Sequence, residues 1–214
     1  MTLLTAGLAV LGLAWGLAAD RIAARWPAHE DGSIRSVDWR TAVVPLVGAV
    51  ALSLLGNRFP DAGSTLIYVL VFLALTLLLA TDLDQRLLPD EVTLPFAAFA
   101  IVYGLLGVNP LIGHAVPGAM LPALIGAIVI PAIFYVLSLP FGPGALGLGD
   151  VKLLFGVGLL AGLERTAFGV IVGVLISGVV IIALLVTRRI GLKSFIPYGP
   201  FLILGAFWAV LLQS

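Results

Sequence analysis

The chain has 214 residues, 61% hydrophobic and only 10% charged, with eleven acids against eleven bases; soluble domains carry about 25% charge. The charge balance excludes a polyanion binder working by bulk electrostatics. The lack of cysteine excludes disulfides, Cys-ligated zinc, iron–sulfur clusters and thiol catalysis. His29 and His114 are the only imidazoles, so the expectation is a polytopic membrane protein whose chemistry rests on carboxylates.

A spanning helix needs about 20 largely apolar residues. Such runs predict an all-α membrane bundle of about eight spans, at roughly 2–20, 41–56, 64–81, 91–108, 119–139, 150–163, 167–187 and 196–212. The opening Met1-Thr2-Leu3-Leu4 lacks a basic n-region, so the first span reads as retained, not as a cleaved signal. Turn chemistry marks the connectors, at Asn57-Arg58-Phe59-Pro60-Asp61, Leu88-Pro89-Asp90, Asn109-Pro110 and Phe141-Gly142-Pro143-Gly144. Pro122 and Pro131 read as kinks in the fifth span. The sixth span is short, reaching about 21 Å at 1.5 Å per residue.

Basic residues tend to stay on the cytoplasmic side. With the amino terminus outside, Arg21, Arg25, Arg35, Arg40, Arg86, Lys152, Arg188, Arg189 and Lys193 fall inside, and only Arg58 and Arg165 outside. That split needs the short sixth span to cross, tilted if necessary.

Nine of the eleven acids share the inner side, four of them in the connector Asp82-Leu83-Asp84-Gln85-Arg86-Leu87-Leu88-Pro89-Asp90-Glu91. Asp82 follows a whole apolar span without a spacer. Asp150 closes Gly147-Leu148-Gly149-Asp150 and opens the next span. Both carboxylates therefore belong at the inner edge of the hydrocarbon, where ionisation is costly. The plainer reading is that acids at helix ends mark the water boundary or favour a helix amino terminus; Asp84, Asp90 and Glu91 have no stronger claim than that. Asp150 stands apart because Gly142, Gly144, Gly147 and Gly149 break the backbone before it. In a membrane such a break needs protein or a wet cavity to satisfy it. If Asp82 and Asp150 converge, one carboxylate and one carboxylic acid sharing a proton can activate water and protonate a leaving amine. Their separation of 68 positions leaves convergence open.

These residues resemble the bacterial type IV prepilin peptidases, membrane aspartic proteases of the GxGD type. Three segments carry the resemblance: Thr81-Asp82-Leu83-Asp84 through Leu88-Pro89-Asp90-Glu91-Val92-Thr93-Leu94-Pro95; Gly147-Leu148-Gly149-Asp150-Val151-Lys152-Leu153-Leu154; and Ile196-Pro197-Tyr198-Gly199-Pro200-Phe201-Leu202. The resemblance implies a peptidase core over residues 64–214, with residues 1–63 a reduced amino-terminal region. It implies Asp82 and Asp150 as the catalytic pair, with Gly147, Gly149, Lys152, Asp84 and Asp90 as site support. The implied substrates are prepilins or pseudopilins, whose basic leader is cut after a glycine. The implied setting is the bacterial inner membrane among its lipids, with the site at the cytoplasmic face and no nucleic-acid partner.

Fuller members carry a larger first loop with two CxxC pairs binding zinc, associated with methylating the new amino terminus. Here residues 21–40 form a short loop without cysteine, and Asp20-Arg21 through Arg25-Trp26-Pro27 only faintly resembles the family's NxxxxRxP stretch. The expectation is therefore no metal and no cofactor for proteolysis, with S-adenosylmethionine relevant only where methylation is retained. His29 reads as a solvated loop residue, and His114 as an outer-side one. Lys152 reads equally as a site cation or as a snorkelling anchor. A proton-coupled transporter would also use intramembrane acids and glycine breaks, and a non-catalytic assembly factor would need only the helices. Against the transporter, no inverted repeat is visible and the acids crowd at one face.

Overall fold

The computed structural model describes residues 2–29, 31–113, 120–141, 147–191 and 198–212, and the described residues form helices and no strand. In chain order these are α1 (Leu3–Ala23), α2 (Arg40–Leu55), α3 (Ala62–Gln85), α4 (Asp90–Leu105), α5 (Met120–Ser138), a 3-10 turn (Leu139–Phe141), α6 (Leu148–Val186) and α7 (Gly199–Leu211). By length and composition α1, α3, α5 and α6 can each cross a membrane, while α2 and α7 are shorter apolar helices.

The sixth and seventh predicted spans are joined in α6, which breaks at Gly162. There φ is +78° and ψ 174°, a backbone that favours glycine. The hydroxyl of Thr166 donates to the carbonyl of Val157 at 3.3 Å. Residues nine apart would lie about 13 Å apart along a straight helix, so the chain doubles back at the break. Counting the arms 148–161 and 163–186 separately gives eight helical segments. Pro131 lies inside α5, whereas Pro122 falls in its first turn, where no helical hydrogen bond is lost.

Close backbone approach holds the bundle together. A Cβ on Gly12 would run into the Gly48 carbonyl, and one on Gly16 into Pro45, so α1 and α2 touch through their backbones. Gly158 meets Ala127 on α5 in the same way, and Gly169 meets the Gly205 carbonyl on α7. Small residues serve this purpose in lipid, where apolar side chains gain little by leaving the tails. The outward faces stay apolar as well: Leu66, Leu70, Val179 and Val186 are all exposed. That suits a hydrocarbon solvent and leaves no amphipathic stripe.

The two ends of the bundle differ. At one end Arg58 donates through Nε to the Val210 carbonyl and through Nη2 to that of Leu212, both at 3.0 Å, and Arg165 also donates to Leu212. These bonds satisfy the last carbonyls of α7. Nearby, the buried Tyr68 hydroxyl donates to Asn109 Oδ1 at 2.6 Å, and Asn109 Nδ2 donates to the Leu160 carbonyl at 2.8 Å. The opposite end gathers Asp20, Arg21, Arg35, Asp38, Arg40, Asp82, Asp84, Asp90, Asp150 and Lys152.

Candidate active site

The charged end is built from the end of α3 and the starts of α4, α6 and α7. The sequence expectation put Asp82 and Asp84 in a connector; both instead lie in the last turn of α3, which runs on to Gln85. Arg86, at φ +57°, stops the helix, and its N–H bonds the Asp82 carbonyl at 2.9 Å. The chain then passes through buried Leu88 to Pro89, which precedes α4.

Two residues along an α-helix turn about 200°, so Asp82 and Asp84 point to opposite sides. Asp82 faces α6 and α7. It is 4% exposed, and its Oδ2 is buried without a hydrogen-bond partner among the described residues. A Cβ on Gly199, the first residue of α7, would lie 2.7 Å from Asp82 Oδ1 and nearer still to Oδ2. The carboxylate therefore rests directly against the first turn of α7.

Asp150 stands in the first turn of α6, where Gly147 precedes the helix in extended backbone. The Gly147 N–H donates to Asp150 Oδ2 at 3.2 Å, half of a capping box with the other half supplied by the backbone. A Cβ on Gly149 would lie 2.8 Å from Leu88 Cβ, so that glycine lets the start of α6 close on the α3–α4 loop. Gly156 likewise admits the Phe96 ring of α4. The charges of Asp150 and Arg86 both act on Asp82. Asp150 sits at the amino terminus of α6, where the unpaired N–H groups favour negative charge, whereas Asp82 belongs to the last turn of α3 and lies against the first residue of α7.

The other candidate residues divide. Lys152 Nζ binds Asp90 Oδ1 at 2.6 Å, linking the first turns of α6 and α4. Both side chains are partly exposed, so the pair contributes little, about 0–1 kcal/mol. Asp84 corrects the sequence reading outright. Expected to be exposed, its side chain is only 2% accessible. It meets Arg35 Nε at 2.6 Å, Arg40 Nη1 at 3.2 Å and His29 Nε2 at 3.1 Å. His29 is thus not a solvated loop residue; it packs on α3. Gly142, Pro143, Gly144, His114 and the Ile196-Pro197 start of the third motif lie outside the described residues.

Sequence reasoning missed this second cluster. Asp20, 1% accessible, holds Arg21 at 2.5 Å, accepts from Thr41 Oγ1 at 2.8 Å and pairs with Arg35. Asp38 bridges Arg35 at 2.5 Å and Arg40 at 3.1 Å. Burial works against the Arg35 cation, but the Asp20 hydrogen bond and the charges of Asp20, Asp84 and Asp38 outweigh it and hold its pKa above the ordinary value. Gln85 Nε2 adds a bond to the Pro27 carbonyl at 2.6 Å. The arginines read as topology markers therefore also clamp the first loop onto the end of α3. The available signal was Asp20, an acid at the end of an apolar span just like Asp82.

The model of the type IV leader peptidase family matches residues 68–186. The chain belongs to this family. Among curated leader-peptidase relatives, the prepilin leader peptidase/N-methyltransferase of Aeromonas hydrophila is 33% identical over 190 residues, covering 89% of this chain and 59% of the relative. The protein of the same name from Aeromonas salmonicida is 32% identical over 180 residues, covering 84% of this chain and 60% of the relative. That of Klebsiella pneumoniae is 34% identical over 113 residues, covering 52% and 48%. The chain thus spans about 60% of the length of these two Aeromonas leader peptidases. No solved structure matches it. Both aspartates fall within the leader-peptidase match, whereas the Asp20–Arg35 clamp precedes it.

Proposed function

We propose that the protein is an aspartic endopeptidase that removes the basic leader of type IV prepilins or pseudopilins after a glycine, at the cytoplasmic edge of the bacterial inner membrane. The observation that supports this reading is the burial of Asp82 at the end of α3 against the first residue of α7, within range of the charge of Asp150 in the first turn of α6. One carboxylate takes a proton from water as its oxygen attacks the glycine carbonyl. The other, holding a proton, gives it to the leaving nitrogen as the C–N bond breaks. Family membership favours this reading over a proton-coupled transporter.

The relatives' second named activity, N-methyl transfer, would draw on S-adenosylmethionine. The carboxylates beside the first loop do not fit that group. Asp20, Asp38 and Asp84 are engaged by Arg21, Arg35 and Arg40, which leaves no acceptor pair for a ribose among them. No methylation step is assigned to this chain.

Cleavage of a purified prepilin should survive both chelators and thiol reagents. The chain has no cysteine, and among the described residues no three His, Asp or Glu side chains are grouped to hold a metal ion. Activity lost to a chelator and restored by a divalent ion would overturn the two-carboxylate mechanism.

Substrate charge should matter modestly. On sequence, Asp82, Asp84, Asp90, Glu91 and Asp150 face only Arg86 and Lys152 in the two site connectors. The fold reduces that excess, because Arg35 and Arg40 neutralise Asp84, and Lys152 neutralises Asp90. Replacing the leader's basic residues by glutamate is expected to raise KM about fivefold, as a few exposed ion pairs would, with kcat less affected. The effect should fade with salt. Equal KM for acidic and basic leaders at low ionic strength would show that this surface does not select the leader.

A further inference from the structure

The third sequence motif has no role in the chemistry above, yet its Gly199 makes the tightest approach to Asp82. A Cβ built there would overlap the whole carboxylate group, lying 2.5 Å from Cγ and 2.7 Å from Oδ1. The φ of Gly199 lies outside the left-handed region, so the glycine is not needed for backbone freedom. It is needed for space, and the atoms that need the space belong to Asp82. A second, independent observation points the same way. Asp82 Oδ2 is buried and has no hydrogen-bond partner among the described residues, although its side chain lies against the amino terminus of a 13-residue helix.

We propose that Gly199 is a positioning residue for Asp82: its missing side chain lets the first turn of α7 close over the carboxylate, shield it from bulk water and keep it turned toward Asp150. The helix axis then presents its positive end to a buried acid. A methyl group at this point would force one of two changes. Either Asp82 rotates away from Asp150, or the start of α7 retreats and admits water. Both outcomes disturb the same pair of groups, so the third motif acts on the chemistry without touching substrate. Its kinetic consequence rests on the Asp82/Asp150 reading; its structural core, the contact between Gly199 and Asp82, does not.

The test is a double-mutant cycle on the full chain in lipid nanodiscs, read first by thermal unfolding. Gly199→Ala should lower the melting midpoint of the wild type. In an Asp82→Ala background, where the colliding group is gone, the same substitution should cost little. Equal losses in both backgrounds would overturn the proposal, since they would mean that Gly199 packs against something other than Asp82. If Gly199→Ala alone does not fold, recovery of folding in the Asp82→Ala background supports the contact and failure to recover overturns it. Where Gly199→Ala folds, kcat for prepilin cleavage should fall on the order of 10- to 100-fold with KM nearly unchanged, and the pH profile of kcat should move. Wild-type kcat with an unmoved profile would overturn the positioning role. Asp82→Asn run alongside separates the two ideas. Retained cleavage there sinks the dyad reading, while the unfolding cycle still decides the contact.

Discussion

Asp82→Asn and Asp150→Asn are each expected to abolish prepilin cleavage, lowering kcat by about 10³-fold or more, while the protein still inserts and folds. In the proposed mechanism each carboxylate has a separate proton task, one taking a proton from water and the other giving one to the leaving nitrogen, so neither replaces the other. An asparagine keeps the shape of the side chain and can still rest beneath Gly199 or accept from the Gly147 N–H. What it lacks is the ability to exchange a proton near neutral pH. The double mutant should therefore be no worse than either single one. Substantial turnover by either single mutant, with a purified prepilin and mass-spectrometric detection of the product, would remove that residue from the mechanism.

Asp84→Ala is expected to act on stability rather than on chemistry, at a cost of about 3 kcal/mol. Its carboxylate is nearly inaccessible and engages Arg35, Arg40 and His29, so removing it leaves Arg35 and Arg40 short of a counter-charge under a covered loop. Asp84→Asn retains an acceptor but not the charge, and should fall between alanine and wild type. Arg35→Ala should resemble Asp84→Ala, because Arg35 also serves Asp20 and Asp38. The pair should couple in a double-mutant cycle. Thermal unfolding in nanodiscs, together with protease access to the loop between α1 and α2, measures both effects. An unchanged midpoint and an uncut loop in Asp84→Ala would show that the cluster does not hold the loop. By contrast, Asp90→Asn breaks only a partly exposed pair with Lys152 and should cost little.

The clamp and the aspartate pair share one helix end. Asp82 and Asp84 are separated by a single residue, so whatever fastens Asp84 also limits the movement of Asp82 about the α3 axis. The short first loop thereby gains a mechanical role. Through Arg35 and Gln85 it ties α1 and α2 to the turn that presents Asp82.

The helices were legible in the sequence because in lipid the test for a helix is local. About 20 apolar residues suffice, and the helix bonds its own backbone without outside help. The same locality revealed the two aspartates, which interrupt apolar runs, and the glycines before Asp150. What could not be read was which face of each helix meets which neighbour. Leu66 and Val179 face outward while Leu78 and Leu153 are buried, and no amphipathic stripe separates the two sets. Three features depended on that missing information: the return of α6 at Gly162, the seat of Asp82 beneath Gly199, and the capture of Asp84 by residues from the first loop. Each joins groups that the chain keeps apart in sequence or turns to opposite sides of one helix. Composition and spacing determined a carboxylate-bearing membrane bundle, because hydropathy acts on each segment alone. Only the tertiary structure decided which acids rest against glycine backbone and which are bound by arginine, because that choice is made by the packing of the helices on one another.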